Sequence, residues 1–321
     1  MSEPKTTLPD ARVSPRFAGI CTFYRYPRLE DVEREGKAVD WAVYGAPFDS
    51  GVTFRPGARF GPRAVREASQ YVKVHHVGHD VTVTHALSLA DAGDAPVRTY
   101  SCAENDAAMT AWARGVGDPD RTRLLAFGGD HSIALANIRA TWERRGRPAG
   151  GLALLHFDAH LDTVDAVWGE RHGHASPFIR AIEAGYVDPR RMISVGIRGP
   201  LNTRTDLDYA KEHGVRVATP EELRSGGPGL LAEFVGSLGG AETYLSVDID
   251  VFDPAYAPGT GTPAVGGLTS AEGLAALRAL AGVNLVGADV VEVLPDRDPS
   301  GITALLAAQV GFEALALGAI G

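Results

Sequence analysis

Residues Leu155–Asp162 read LHFDAHLD, and this stretch decides how the 321-residue chain folds. Asp158, His160 and Asp162 stand at alternate positions, and alternate side chains of an extended backbone point to the same side. The apolar run Gly151–Phe157 leads directly into them and predicts a buried strand. We therefore expect two carboxylates and one imidazole to meet at the carboxyl end of a core strand, where open α/β sheets bind their ligands.

Two other apolar strands end in the same kinds of residue. Thr243–Asp250 reads TYLSVDID, and Leu124–Ser132 reads LLAFGGDHS. The three strands together supply four carboxylates and two imidazoles, from His131, Asp158, His160, Asp162, Asp248 and Asp250. This set is too large for one tetrahedral zinc ion. Four buried carboxylates without cations would also cost several kcal/mol each, so capping roles do not explain the pattern.

The ligand types indicate two divalent ions that share carboxylates. One imidazole for each ion, with several carboxylate oxygens, is a hard ligand set that suits Mn²⁺. Two such ions a few ångströms apart lower the pKa of a shared water. The pattern therefore predicts a hydrolase.

Strands alternate with helices along the whole chain, which indicates parallel βαβ units. We expect one three-layer α/β/α sandwich with a parallel sheet of about eight strands. Residues 1–15 are expected to form a flexible N-terminal arm, and residues 16–321 a single domain without internal repeats.

Composition excludes several classes of partner. The net charge is −9 and no cluster of Lys and Arg is present, so neither nucleic acid nor an anionic membrane is expected. A small cationic substrate is compatible with this charge. The two cysteines argue against a disulfide framework. The polar start of the chain lacks the apolar core of a signal peptide, and no apolar run is expected to reach the roughly 20 residues that span a bilayer. We expect a cytoplasmic protein.

Several other residues could have a function, but we expect a structural role for each of them. His156 alternates with the ligands, so we expect it to point away from them and to be satisfied in the core. His75, His76 and His79 lie in a polar segment without a partner carboxylate pattern, and we expect them to be solvated or at the rim of the site. The loop Gly45–Pro62 carries no phosphate-binding motif, which favours a structural loop near the site mouth.

The motifs resemble the ureohydrolase family of arginases and agmatinases. The resemblance rests on GGDHS (128–132), DAHLD (158–162) and SVDIDVFDPAYAPGTGTP (246–263), which occur in the family's order. Further matches at 45–69 and 290–308 extend it over nearly the whole chain, and GARFGP within the first is similar to the agmatinase-like branch. The resemblance implies an arginase-like fold, two Mn²⁺ ions per chain, a homotrimer or homohexamer, and cleavage of a guanidino compound to urea and an amine.

The resemblance also implies individual roles. One ion would be held by His131, Asp158, Asp162 and Asp248, and the other by His160, Asp158, Asp248 and Asp250. Asp162 would contact the nucleophile as well, and Glu292 would pair with the substrate guanidinium, which favours a two-pronged acceptor. His174 would protonate the departing amine. The family reads HGTxF where this chain has HASPF (174–178), and His172 is an alternative for the shuttle.

Agmatine, cleaved to putrescine and urea, is the expected substrate. The alternative is a guanidino acid such as 4-guanidinobutyrate or guanidinopropionate, or an amidino intermediate of secondary metabolism. An acid would need a basic residue near its tail, and Arg171 or Arg204 could serve. Trp168 and the segment Phe17–Tyr26 are candidates for tail contacts. A non-catalytic guanidino-binding relative and a metal-dependent deacetylase of related fold are less favoured, because both ligand sets and Glu292 are complete.

Overall fold

The computed structural model describes residues 3–227 and 229–321. Within these residues the strands are β1 (Trp41–Ala46), β2 (His75–His76), β3 (Val81–Thr82), β4 (Leu89–Asp94), β5 (Arg123–Gly128), β6 (Leu152–Phe157), β7 (Val187–Val195), β8 (Arg216–Ala218), β9 (Thr243–Asp248) and β10 (Leu285–Val291). β2 and β3 form a small antiparallel hairpin. The other strands form an eight-stranded sheet in the order β4-β1-β5-β10-β9-β6-β7-β8.

The α-helices of the same residues are α1 (Leu29–Arg34), α2 (Gly61–Ala68), α3 (Val83–Ala86), α4 (Cys102–Arg114), α5 (Ile133–Arg144), α6 (Pro177–Glu183), α7 (Asp208–His213), α8 (Pro220–Gly226), α9 (Gly229–Ser237), α10 (Ser270–Arg278) and α11 (Ile302–Ile320). Short 3-10 helices include Ala58–Phe60, Ile249–Val251 and Pro295–Arg297.

All neighbouring strands of the large sheet run parallel. Helices α2, α10 and α11 cover one face, and α4, α5 and α6 cover the other. The predicted three-layer sandwich with about eight parallel strands is confirmed. Both faces of the sheet are covered, which explains why its strands read as nearly continuous apolar runs.

Helix α11 is the longest helix of the described chain. By length and composition it could cross a membrane, so the expectation that no apolar run reaches this length is wrong for this helix. However, 78% of its apolar window is buried inside the protein. Its apolar side chains belong to the core cluster that also contains Phe127 and Leu245, as in the core helix of a globular domain.

The segment before the first helix contacts the domain at Thr6. The Thr6 main-chain N–H donates to the carbonyl of Thr84, and its hydroxyl donates to the carbonyl of Leu87. Thr6 is therefore buried, whereas its neighbours are mostly exposed. Residues 1–2 of the expected flexible arm lie outside the described residues, and the flexibility of the rest stays a prediction.

His76 fastens the β2–β3 hairpin to α11. Its Nε2 lies 2.7 Å from Oε2 of Glu313, and the fork of Arg278 holds the same carboxylate at 2.7 Å. His76 and Glu313 are both buried. The expectation that the three histidines of this segment are solvated or at the site rim is therefore wrong for His76, because its partner carboxylate lies 237 positions away in the chain.

Candidate metal centre and active site

The four central strands deliver the candidate site residues to one end of the sheet. β5, β10, β9 and β6 are consecutive neighbours, and His131, Glu292, Asp248 and Asp158 lie at or just beyond their carboxyl ends. Because parallel strands end together at the same edge, residues separated by more than 160 positions converge.

The first group surrounds Nδ1 of His131. This atom lies 3.1 Å from Asp158 Oδ2, 2.9 Å from Asp162 Oδ2 and 3.5 Å from Asp248 Oδ2. All members of the group except Asp162 are buried. The four residues correspond to the first ligand set that the resemblance implies.

The second group surrounds Nδ1 of His160. This atom lies 3.3 Å from Asp158 Oδ1 and 3.1 Å from Asp250 Oδ2. Asp158 thus turns one oxygen to each histidine, as a ligand shared by two ions would. Asp248 joins the groups through its Oδ1, which accepts the main-chain N–H of Asp250 at 2.8 Å. The His160 side chain is 42% exposed, so this group faces the mouth of the site.

The charges of the two groups do not balance without cations. Burial and the neighbouring carboxylates raise the pKa values of Asp248 and Asp250. Burial lowers the pKa of His160, but Asp250 and Asp158 outweigh it and raise the pKa to about 12. Four carboxylates with two imidazolium ions leave two negative charges, whereas two divalent ions with neutral imidazoles leave none.

The donor set therefore fits two divalent ions. Nδ1 of His131 is buried and has no hydrogen-bond partner among the described residues, although carboxylate oxygens surround it. Its position among three carboxylates suits a shared cation, and carboxylate with imidazole is a ligand set that Mn²⁺ accepts. His131, Asp158, Asp162 and Asp248 would hold one ion, and His160, Asp158, Asp248 and Asp250 the other.

Glu292 presents a free carboxylate oxygen beside these groups. It is fully buried and follows β10 with φ of 65°, a strained conformation for a glutamate. Oε1 accepts the main-chain N–H of His131 at 2.9 Å and the Nδ1 of His174 at 2.8 Å. Oε2 has no partner among the described residues. A buried carboxylate oxygen with unused lone pairs is suited to a cationic ligand.

Gly261 keeps the space in front of Glu292 open. A Cβ at this position would lie 3.5 Å from Oε2 of Glu292 and 3.1 Å from the main-chain oxygen of Arg55. A side chain there would occupy the volume next to the free oxygen. In the sequence, Gly261 is marked only by the glycine-rich stretch PGTGTP (258–263), which does not reveal this role.

His174, and not His172, contacts the other site residues. Burial lowers the His174 pKa, but the Glu292 carboxylate outweighs it and raises the pKa to about 9. On its other side Nε2 lies 2.9 Å from the main-chain nitrogen and 2.8 Å from the hydroxyl of Thr53. A neutral ring can accept from the N–H, and a protonated ring can donate to the hydroxyl. The ring therefore has a partner in both protonation states, as a proton shuttle requires.

Thr53 lies in the glycine- and arginine-rich loop that follows β1. This loop also donates the Gly51 N–H to Asp130, and Asp49 accepts the Gly57 N–H at 2.7 Å. The loop thus closes one wall of the site and supports His174. His172 instead uses its main-chain N–H to bind Glu170, and no hydrogen bond joins its ring to Glu292 or to the metal groups among the described residues.

His156 lies directly behind the ligands. Its Nε2 is 2.9 Å from Oδ2 of Asp158 and its Nδ1 is 3.0 Å from the hydroxyl of Ser194. The residue is satisfied in the core, as expected, but the expectation that it points away from the ligands is wrong. His156 stands two positions before Asp158, and side chains two apart in an extended backbone point to the same side.

Arg198 organises the loop that carries Asp250. Its guanidinium donates to the carbonyls of Asp250 at 2.6 Å and Ala264 at 2.7 Å, and it reaches four further carbonyls of the same region. This role could not be predicted from the sequence, because an arginine after a strand gives no local sign of the carbonyls that it will bind.

Comparison with known proteins identifies the family. The family model described as "Arginase family" matches residues 39–317. The chain belongs to the arginase family. Proclavaminate amidinohydrolase of Streptomyces clavuligerus is 43% identical over 310 residues, with 95% of each chain covered. Its solved structure superposes with a TM-score of 0.87, covering 95% of this chain and 99% of that chain at 40% identity.

Other relatives differ in the activity that their names state. Guanidinopropionase of Pseudomonas aeruginosa is 43% identical, with 96% of this chain and 94% of that protein covered. Mitochondrial agmatinase of Gallus gallus is 38% identical, with 96% and 88% covered. This arginase-family chain is therefore an amidinohydrolase that acts on guanidino C–N bonds, and the agmatinase-like branch is consistent with these relatives.

Proposed function

We propose that the chain is a dinuclear manganese enzyme that hydrolyses a small guanidino acid to urea and an amino acid. The observation that carries the proposal is the free, buried Oε2 of Glu292, which faces the space that Gly261 leaves open beside two metal-binding groups. A guanidinium ion is planar and stays protonated, so a carboxylate oxygen in a dry pocket binds and orients it.

Each residue has a defined task in this reaction. Two divalent ions, when bound, lower the pKa of water so that hydroxide is present near neutral pH. Asp162 accepts a hydrogen bond from the attacking water and orients it, while Glu292 holds the substrate cation. The water oxygen bonds to the guanidinium carbon, and the bond from this carbon to the substituted nitrogen breaks. His174 gives a proton to the departing nitrogen, so guanidinium and water become urea and an alkylammonium ion.

The preference for an acid tail rests on the relatives and on one arginine. Guanidinopropionase is among the more similar relatives, and guanidinobutyrase of Pseudomonas aeruginosa is 36% identical. Arg55 is half-buried in the loop that carries Thr53, and its guanidinium lies 4.7 Å from the centre of the Phe54 ring without an ion pair to another described residue. Its main-chain oxygen borders the same space as Glu292. Arg55 is thus available for a substrate carboxylate.

The two arginines that the sequence suggested are less suitable. Arg171 pairs with Asp165 at 2.9 Å and lies 3.8 Å from Glu183 on α6, so its charge is already compensated. Arg204 is exposed in a 3-10 helix, and no contact links it to the site residues among the described positions.

Agmatine is the second candidate substrate. The chicken agmatinase is 38% identical over nearly the whole chain, and the net charge of −9 favours a dication over an anion at long range. An amine tail would place a positive charge where the acid would place its carboxylate. Arg55 would therefore attract the acid tail and repel the amine tail.

Urea release from a substrate panel tests the proposal. The manganese-loaded protein is assayed with guanidinopropionate, 4-guanidinobutyrate, agmatine and arginine, and again after chelation. We expect the highest kcat/KM for one of the acids and loss of activity on chelation. The variant Arg55→Met should raise KM for the acid about tenfold or more, whereas the matched Arg171→Met should not. A preference for agmatine rejects the acid, and no urea from any guanidino compound rejects the function.

We also propose a cytoplasmic homo-oligomer, a trimer or hexamer, without nucleic-acid or membrane partners. Val13, Phe17 and Ile20 expose 83%, 93% and 83% of their surface, which supports burial against a second copy. Light scattering on purified protein tests the oligomer, and a monomer would reject it.

A further inference from the structure

The loop between β1 and α2, residues 47–60, touches two other parts of the site. The Gly51 N–H donates to the carboxylate of Asp130 at 2.8 Å, and the Gly51 carbonyl accepts the main-chain N–H of His174 at 3.0 Å. The main-chain nitrogen of Thr53 lies 2.9 Å from Nε2 of His174. The loop can place the imidazole of His174 in this way only if its own shape is fixed.

The carboxylate of Asp49 joins the two ends of this loop. Its Oδ2 accepts the main-chain N–H of Gly57 at 2.7 Å and that of Arg59 at 3.2 Å. Its Oδ1 accepts the Nε–H of the Arg59 guanidinium. Asp49 is 1% exposed, so bulk water cannot replace these hydrogen bonds. One buried side chain therefore holds positions 49, 57 and 59 together around Thr53.

The main chain does not close the loop without this carboxylate. Among residues 3–227 and 229–321, no hydrogen bond between main-chain groups connects positions 49–53 to positions 54–59. Gly57, whose N–H points at Asp49, has φ of 137°, a conformation that other residues rarely adopt. A segment without main-chain bonds of its own depends on side chains for its shape, so the position of Thr53 depends on Asp49.

We propose that Asp49 is a positioning residue for proton transfer, and that it acts on His174 through Thr53. All hydrogen bonds of its carboxylate to described residues stay within the loop. The inference rests on the proposed function, in which His174 gives a proton to the departing nitrogen. It adds that this step depends on a carboxylate outside the reacting groups, since a misplacement of about 1 Å can slow a reaction about 100-fold.

The variant Asp49→Ala removes all three hydrogen bonds that close the loop. In the manganese-loaded protein, kcat for urea release should fall about 10–100-fold, because Thr53 no longer fixes the ring of His174. In Asp49→Asn the amide oxygen can accept on one side only, so the loss should be smaller, about three- to tenfold. The manganese content of both variants should match the wild type, because the metal groups lie on other loops.

A double-mutant cycle separates the positioning of His174 from a general loss of structure. In the His174→Gln background, Asp49→Ala should change kcat by less than about threefold, because the group through which Asp49 acts is already gone. A further loss as large as that in the wild-type background would mean that Asp49 acts by another route.

Asp40 provides the matched control at the amino end of the same strand, β1. Its carboxylate also accepts a main-chain N–H, that of Ser88 at 2.9 Å, and it pairs with Arg121 at 2.7 Å. Asp40→Ala should lower the melting temperature and keep the wild-type kcat. Circular dichroism melting shows whether each variant folds, and Asp49→Asn replaces Asp49→Ala in the cycle if the alanine variant does not.

Crystal structures of the folded variants test the geometry without reference to catalysis. In Asp49→Ala the Thr53 nitrogen should lie more than about 3.5 Å from Nε2 of His174, whereas in Asp40→Ala it should stay at 2.9 Å. Three results would overturn the proposal: wild-type kcat in the folded Asp49 variants, a full loss in the His174→Gln background, or an unchanged distance. Absence of urea release by the wild type would refute the proposed function, and the distance would still decide whether Asp49 positions Thr53.

Discussion

Replacing Glu292 by glutamine gives the sharpest test of how the substrate is bound. The substitution is nearly isosteric, and the amide oxygen can keep the two hydrogen bonds that His131 and His174 make to Oε1. The amide nitrogen then takes the place of the free Oε2. Its hydrogens face the N–H groups of the guanidinium, so two donors meet and no hydrogen bond forms.

The size of the effect follows from burial. Glu292 is fully buried, so water cannot replace the lost negative charge beside the guanidinium. Removing one partner of a buried ion pair costs about 3–5 kcal/mol, which corresponds to about two to four orders of magnitude in kcat/KM. We expect the Glu292→Gln protein to show this loss in urea release, measured at saturating Mn²⁺ with the metal content determined in parallel.

Glu313→Gln is the control for the loss of a buried glutamate. Glu313 is also fully buried and ion-paired, but its partners are Arg278 on α10 and His76 in the β2–β3 hairpin, away from the site. This variant should melt at a lower temperature and keep the wild-type kcat/KM. The reasoning is refuted if Glu292→Gln retains kcat/KM within about fivefold of the wild type while it binds two ions.

Three other changes probe the surroundings of the site. Gly261→Ala should raise KM about tenfold with metal binding unchanged, because its Cβ would lie 3.5 Å from Oε2 of Glu292; steady-state kinetics and metal analysis check this. Arg198→Met should lower the melting temperature by about 5 °C or more, since the carbonyl of Asp250 and its neighbours lose their donor, and calorimetry measures it. The His174 pKa is raised to about 9, so in the metal-free protein its ion pair stabilises the fold below the unfolded value of about 6.5 and is lost as pH rises through 9. Urea unfolding of wild type and His174→Gln should therefore differ most near pH 6 and least near pH 10, and a constant difference would contradict it.

Local patterns predicted much of the fold. The alternation of Asp158, His160 and Asp162 after an apolar run is a property of neighbouring residues, and it indicated a strand with ligands at its end. The same reasoning found β5 and β9. Side-chain patterns of this kind have a period of two, so a short window contains the whole signal.

The surroundings of the ligands could not be predicted in this way. His156 was expected to point away from the ligands, but it stands two positions before Asp158, and side chains two apart in an extended chain point to the same side. Its Nε2 accordingly lies 2.9 Å from Asp158. His76 was expected to be solvated or at the rim of the site, because its partner Glu313 lies 237 positions away and no local pattern reveals it.

Local patterns and motifs were enough to predict a parallel α/β sandwich, the residue types of the metal groups and the family of the chain. The residues that support the metal groups become visible only in the folded chain. The insertion of β10 between β5 and β9 places Glu292 in the middle of the site and Asp289 opposite Ser246. Thr53 and Gly261 reach the site from separate loops. The physical reason is that ligand chemistry belongs to single residues, whereas hydrogen-bond direction and open space depend on the order in which distant strands pair.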